Sequence, residues 1–173
     1  MAVKVKVYNP KNIQLPEYAT PGSACADIRS AEDYKEIRPH ESELFDTGLY
    51  VAFPVGYLLE IRPKSGLAFK YRVTVLNAPG TVDSDYPKSI GVLLINHGEY
   101  TTKFTKGQEI AQIAILGPNG LEHIEWEPVD SIEELNAYRQ QLQDEWLSHH
   151  PDFKATDTMR KGGWGSTYQK ETH

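Results

Sequence analysis

Seven short runs rich in β-branched and aromatic residues, at 3–8, 37–45, 49–53, 57–62, 73–76, 90–96 and 109–116, set the strongest limit on how this chain can fold. Turn formers separate them: Asn9-Pro10, Thr20-Pro21-Gly22, Pro54-Val55-Gly56, Asn96-His97-Gly98 and Lys106-Gly107. Strands this short, broken this often, build sandwiches, barrels or jelly rolls, not a parallel sheet with crossover helices. The opening Met1-Ala-Val-Lys-Val-Lys-Val7 alternates apolar residues with lysine. It reads as a half-buried strand and not as a signal peptide.

The pattern changes after Pro128. Ser131-Ile-Glu-Glu134 is a capping box, and Ile132, Leu135, Tyr138, Leu142 and Trp146 then recur at helical spacing up to Leu147, with Pro151 to stop the helix. Two readings of a helix added to an all-β body stay open: cover for the core, or a grafted element that binds a partner or another copy. The tail Arg160-Lys-Gly-Gly-Trp-Gly-Ser-Thr-Tyr168 is too rich in glycine for regular structure. The expected organisation is a β core over 1–125, a helical insertion over 126–158 and a Gly-rich arm over 159–173.

Composition excludes several classes of function. A net charge of −6 argues against a duplex-binding surface, so no nucleic acid partner is expected. No apolar run reaches membrane-spanning length, and Cys25, the single cysteine, excludes an internal disulfide or a multi-cysteine zinc site. Both features fit a cytoplasmic protein. The histidines lack HExxH spacing, and neither GxxxxGK[ST] nor GxGxxG occurs. Any phosphate site here is built in another way.

The most informative segment for function is Asn77-Ala-Pro-Gly-Thr-Val-Asp-Ser-Asp-Tyr86. If it is extended, Asp83 and Asp85 share one face and Val82 takes the other. A carboxylate at the edge of a buried strand is costly unless it binds a cation, accepts hydrogen bonds or removes a proton. A polar hairpin tip explains the same residues, and alone the two readings weigh about equally. Other segments favour chemistry. Arg62-Pro-Lys-Ser-Gly66 offers a cation, a hydroxyl and room for close backbone approach, which suits a phosphate clamp. Asp27 lies among small residues, where it could face a hydrated Mg²⁺ that takes its other ligands from phosphates. Gln112 can donate to a phosphate oxygen. In the tail, Trp164 can stack on a base, and glycine-rich backbone can form an anion nest.

In this order, the five segments resemble the five motifs of the homotrimeric dUTP diphosphatases, from about residue 3 to 168 except for 126–158. Gly80-Thr-Val-Asp-Ser-Asp-Tyr86 and Gly162-Gly-Trp-Gly-Ser-Thr167 are the specific parts. The resemblance implies a jelly-roll subunit, three to a particle, with each active site shared between chains. It implies a Mg²⁺-assisted hydrolysis of dUTP to dUMP and diphosphate. In it, Asp83 orients or deprotonates the attacking water and Asp27 holds the metal shell. Lys64, Ser65, Gly66 and Gln112 would contact the phosphates, with Ser65 near the α–β bridging oxygen. Asn77 and the backbone of Gly80, Thr81 and Val82 would form the uracil slot, and Tyr86 would pack on the deoxyribose. Trp164 would cover the base, while Arg160, Gly165, Ser166 and Thr167 would close over the phosphates.

Some positions depart from that pattern. Lys64 stands where the family has Arg, which keeps the charge but loses the bidentate fork. Glu109 stands where a basic residue is common, so no phosphate contact is expected there. Trp164 replaces Phe, and Arg160 is one residue closer to the aromatic than usual. The 126–158 stretch is similar to inserts of virus-encoded members, some of which bind proteins; the location would then be host cytoplasm. Two rivals remain: a deoxycytidine triphosphate deaminase on the same fold, and a regulatory protein that captures a partner through its helix.

Overall fold

The computed structural model describes residues 2–153. Strand β1 (Ala2–Tyr8) buries Val3, Val5 and Val7 and turns Lys4 and Lys6 outward, as the alternation requires. It pairs antiparallel with β5 (Tyr50–Ala52) and parallel with β12 (Gly120–Val129). Both outward lysines, Lys4 exposed and Lys6 half-buried, are used locally. Lys4 Nζ lies 2.7 Å from Glu127 Oε1, and Lys6 Nζ stands 4.3 Å from the centre of the Tyr138 ring.

From β12 the main sheet continues through β11 (Glu109–Gly117) and β6 (Leu58–Arg62) to β8 (Gly80–Asp83), while β2 (Ala26–Arg29) joins β11. A second sheet orders β4 (Ser42–Asp46), β9 (Gly91–Asn96) and β7 (Val73–Val75), and β3 (Tyr34–Ile37) pairs with β10 (Thr102–Thr105). The inward residues Phe45, Leu59, Leu94, Ile113 and Ile115 are fully buried and knit the sheets into one core. The result is the expected all-β, jelly-roll-like body. Among the described residues, no helix is long and apolar enough to cross a membrane.

Several expectations are corrected. The run at 37–45 is two strands, because Arg38-Pro-His-Glu41 turns the chain and His40 takes a left-handed φ of 64°. The seven strand-like runs omit β12, which returns from β11 through Pro118-Asn119, with Gly120 at φ 94°. That Pro-Asn-Gly sequence is itself a turn signal. The boundary expected between 125 and 126 falls inside β12, whose pairing with β1 runs to Val129. The helical segment therefore begins after the sheet has closed. A further helix, α1 (Ser65–Tyr71), grows out of the clamp segment.

Helix α2 (Ile132–Ser148) starts where the capping box places it. Ser131 accepts from the Glu134 N–H at 3.1 Å, and Glu134 reaches back one residue further than expected, accepting from the Asp130 N–H at 3.2 Å. Its buried residues are Leu135 and Arg139, against β5 and β1. Arg139 Nη2 donates to the Val51 carbonyl at 2.8 Å, satisfying an edge strand. Burial lowers the pKa of this guanidinium, opposed by the charge of Asp85. Leu142 and Trp146 are only half-buried; Trp146 stacks at 4.0 Å on His150 and meets Phe153 edge-on at 5.0 Å. One end of the helix covers the core, and the other carries its own aromatic group. Leu135→Ala is expected to cost about 2–4 kcal/mol in urea unfolding, and Leu142→Ala less than about 1 kcal/mol.

Candidate functional site

Strand pairing brings five charged or polar side chains together from three separate segments. β2 and β11 run antiparallel with Asp27 opposite Gln112 and Arg29 opposite Glu109. β6 lies on the other side of β11, with Arg62 opposite Gln112, and delivers the chain to Lys64. Lys64 Nζ then stands 2.8 Å from Asp27 Oδ1 and 2.8 Å from Glu109 Oε2. Gln112 Nε2 donates to the same Asp27 oxygen at 3.3 Å, and Arg29 Nη2 is 3.0 Å from Glu109 Oε1. Burial weakens the Lys64 ammonium, but its hydrogen bonds to Asp27 and Glu109 outweigh that and raise its pKa above the ordinary lysine value. Lys64 is therefore charged at neutral pH.

Ser65 and Gly66 open α1 and are exposed beside this cluster. A Cβ at Gly66 would meet nothing within 4 Å, which leaves open space against the backbone. Asp27 is 9% exposed, so its carboxylate faces the cluster and not bulk water. Among the described residues, no three His, Cys, Asp or Glu side chains stand close enough to cage a metal. The oxygens of Asp27 and Glu109 do converge on one cation, Lys64 Nζ. That donor set suits a hard ion such as Mg²⁺ that takes most ligands from water and phosphate.

The segment 77–86 forms a second constellation. β7 pairs with β9 and β8 pairs with β6, so the turn between them is a corner joining two sheets and not a two-stranded hairpin. At the corner Gly80 is buried; a Cβ there would stand 3.2 Å from Asn77 Nδ2 and 3.4 Å from Ile61 Cβ. The backbone and the Asn77 amide thus meet closely, and a side chain at 80 would press on the Asn77 amide. Along β8, Val82 enters the core while Thr81 and Asp83 face outward. The strand ends at Asp83, and the Tyr86 N–H donates to the Asp83 carbonyl at 3.1 Å. That turn removes Asp85 from the face expected for it; its charge acts instead on buried Arg139. Tyr86 packs partly buried against the core.

The structure brings Asp27, Lys64 and Gln112 together, but not with Asp83. Asp83 is opposite Leu58 at one end of β6, and Gln112 is opposite Arg62 at the other. Four residues of strand span roughly 13 Å, and two interstrand spacings of roughly 5 Å each separate β8 from β11. A general base must lie within about 3 Å of the proton it takes. One subunit cannot apply both constellations to one phosphorus atom. Arg160, Trp164, Gly165, Ser166 and Thr167 lie outside the described residues.

Glu109 and Arg29 join the cluster without having been expected there. Strand alternation puts Arg29 on the face of Asp27, which was a usable signal. The meeting of Glu109 with Lys64 depends on the β2–β11–β6 register, and no local pattern announces it.

Comparison with known proteins agrees with these observations. The dUTPase family model matches residues 11–144. A deoxyuridine 5'-triphosphate nucleotidohydrolase of Nautilia profundicola is 44% identical over 133 residues, covering 77% of this chain and 92% of that protein. One of Chlamydia pneumoniae is 47% identical over 106 residues, covering 61% of this chain and 72% of its own length. Among solved structures, the dUTPase of Staphylococcus aureus phage phi11, described with a structural Mg(II) ion, superposes with a TM-score of 0.59 at 21% identity, covering 73% of this chain and 94% of that one. The dUTPase of Streptococcus mutans gives 0.58 at 22% identity, covering 72% and 94%.

Proposed function

This chain belongs to the dUTPase family, and from that premise we propose that it hydrolyses dUTP to dUMP and diphosphate at sites assembled from more than one copy of itself. The observation that carries the shared site is the separation of Asp83 from the Asp27–Lys64–Gln112 cluster along β6. A neighbouring copy that presents its Asp83 to this cluster completes the constellation. Exposed Phe69 and Tyr71 on α1 and Tyr100 nearby, at 80%, 52% and 85% exposure, give the clamp an apolar surround that such a neighbour would cover. A homotrimer is the arrangement that the family resemblance implies.

In this reading Lys64, Ser65, Gly66 and Gln112 hold the phosphate chain, and Asp83 takes the proton of the water that attacks the α-phosphorus. Charge gathers on the departing diphosphate, where the Lys64 ammonium and the Gln112 amide stabilise it. Members of the family generally use Mg²⁺, and Asp27 is the residue that would hold its hydration shell here. Bound there, the ion would neutralise phosphate charge. The corner at Asn77 and Gly80 would receive uracil through backbone and amide groups, with Tyr86 against the deoxyribose. Its tightness at Gly80 supports the exclusion of a larger base. The tail residues Arg160, Trp164, Gly165, Ser166 and Thr167 would close over the bound nucleotide.

Diphosphate release from dUTP and dCTP, each with Mg²⁺ and with EDTA, tests this directly. Release from dUTP alone, lost in EDTA, is expected. Deamination of dCTP would replace the reading with its rival on the same fold. A second role, capture of a protein partner, is favoured by the aromatic group of Trp146, His150 and Phe153 beyond the docked half of α2.

A further inference from the structure

We propose that Glu109 is a positioning residue that holds Lys64 before substrate binds and makes its release to a triphosphate depend on a divalent cation. The proposal rests on the reading of Lys64 as the phosphate clamp and adds a residue for which that reading has no use. Both Glu109 oxygens are engaged: Oε2 by Lys64 Nζ at 2.8 Å and Oε1 by Arg29 Nη2 at 3.0 Å. Arg29 is fixed in turn, because it faces Glu109 across the β2–β11 ladder and its side chain is only 12% exposed. Lys64 is thus held between two carboxylates, Asp27 and Glu109, with its charge already balanced.

Lys64 and Arg29 contribute two positive charges, and Asp27 and Glu109 two negative ones, so the cluster is neutral as a whole. A bare phosphate chain that draws Lys64 away must displace it from both carboxylates and then stand beside them unscreened. A divalent cation carried by the phosphates removes that repulsion, and Lys64 can then turn to the phosphate chain. A basic side chain at 109 would do the reverse and attract metal-free phosphate.

Glu109→Gln keeps the size of the side chain and an oxygen for Arg29, but removes the negative charge beside Lys64. The assembled protein is titrated calorimetrically with the non-hydrolysable α,β-imido analogue of dUTP, in EDTA and in Mg²⁺. In EDTA the variant is expected to bind the analogue ~10-fold more tightly than wild type, and in Mg²⁺ the difference should fall below about threefold. Glu109→Asp, which withdraws the carboxylate by one methylene, should tighten metal-free binding by a smaller factor and serves if the Gln variant does not fold. An ion pair with a merely structural role would lower thermal stability in both variants and leave the ratio of the two affinities as in wild type. That outcome overturns the proposal, as does weaker metal-free binding. If wild type binds the analogue under neither condition, the dUTPase reading of the site falls and takes this role of Glu109 with it. Normal wild-type binding in Mg²⁺ without tightening in the variants removes the role of Glu109 alone.

Discussion

Asp83→Asn is expected to lower dUTP turnover by about 10²–10⁴-fold while leaving fold, assembly and nucleotide binding nearly unchanged. The residue faces outward at the last position of β8, so the substitution disturbs no core packing. Asn preserves the shape and can still orient a water, but it cannot accept the proton. The loss should therefore appear in kcat, with KM little altered. Steady-state hydrolysis of dUTP by the purified variant provides the measurement, with its unfolding curve compared with wild type as a control. Near-normal turnover would remove Asp83 from the role of base.

Mixing two inactive chains should restore activity. Asp83→Asn chains keep an intact Lys64 cluster, and Lys64→Ala chains keep an intact Asp83. If each site takes its cluster from one subunit and its Asp83 from another, random reassembly at equal amounts leaves both parts intact in about a quarter of sites. Activity should rise from near zero to about that fraction of wild type after co-refolding. The physical basis is the length of β6, which holds Asp83 and Gln112 at opposite ends within a chain. Mixtures that stay inactive, although light scattering shows mixed particles, would mean that each subunit works alone.

Much of the fold was legible because its causes are local. The lysine–valine alternation of β1 and the Ser131 cap of α2 each depend on residues within a few positions, and both appear where the sequence places them. The turn at 77–80 was legible for the same reason, whereas the helix that starts at Ser65 was not. Legibility failed where a local rule met a competing one. A β-rich run gave way to the turn at Pro39-His40, and the face expected to carry Asp83 and Asp85 ended when the chain turned after Asp83. The apolar stripe on α2 did not reveal that Arg139 is among its most buried residues, because a guanidinium enters a core only when a specific acceptor awaits it. Here that acceptor is the edge carbonyl of Val51, 88 residues away.

By itself the sequence determined the all-β class, the start of the helix and the identity of the chemical groups, since strand period, turn chemistry and side-chain type are properties of short segments. It also determined the family, through motifs that are each contiguous. Only the tertiary structure decided which of those groups meet. Glu109 reaches Arg29 across 80 residues of chain because the β2–β11 pairing shifts register between Glu109 and Ala111, so that Glu109 opposes Arg29 while Gln112 opposes Asp27. The same pairings of β6 with β8 and β11 keep Asp83 away from Lys64 within one subunit. Register and strand length are set by the packing of the whole core, and no segment carries that information alone.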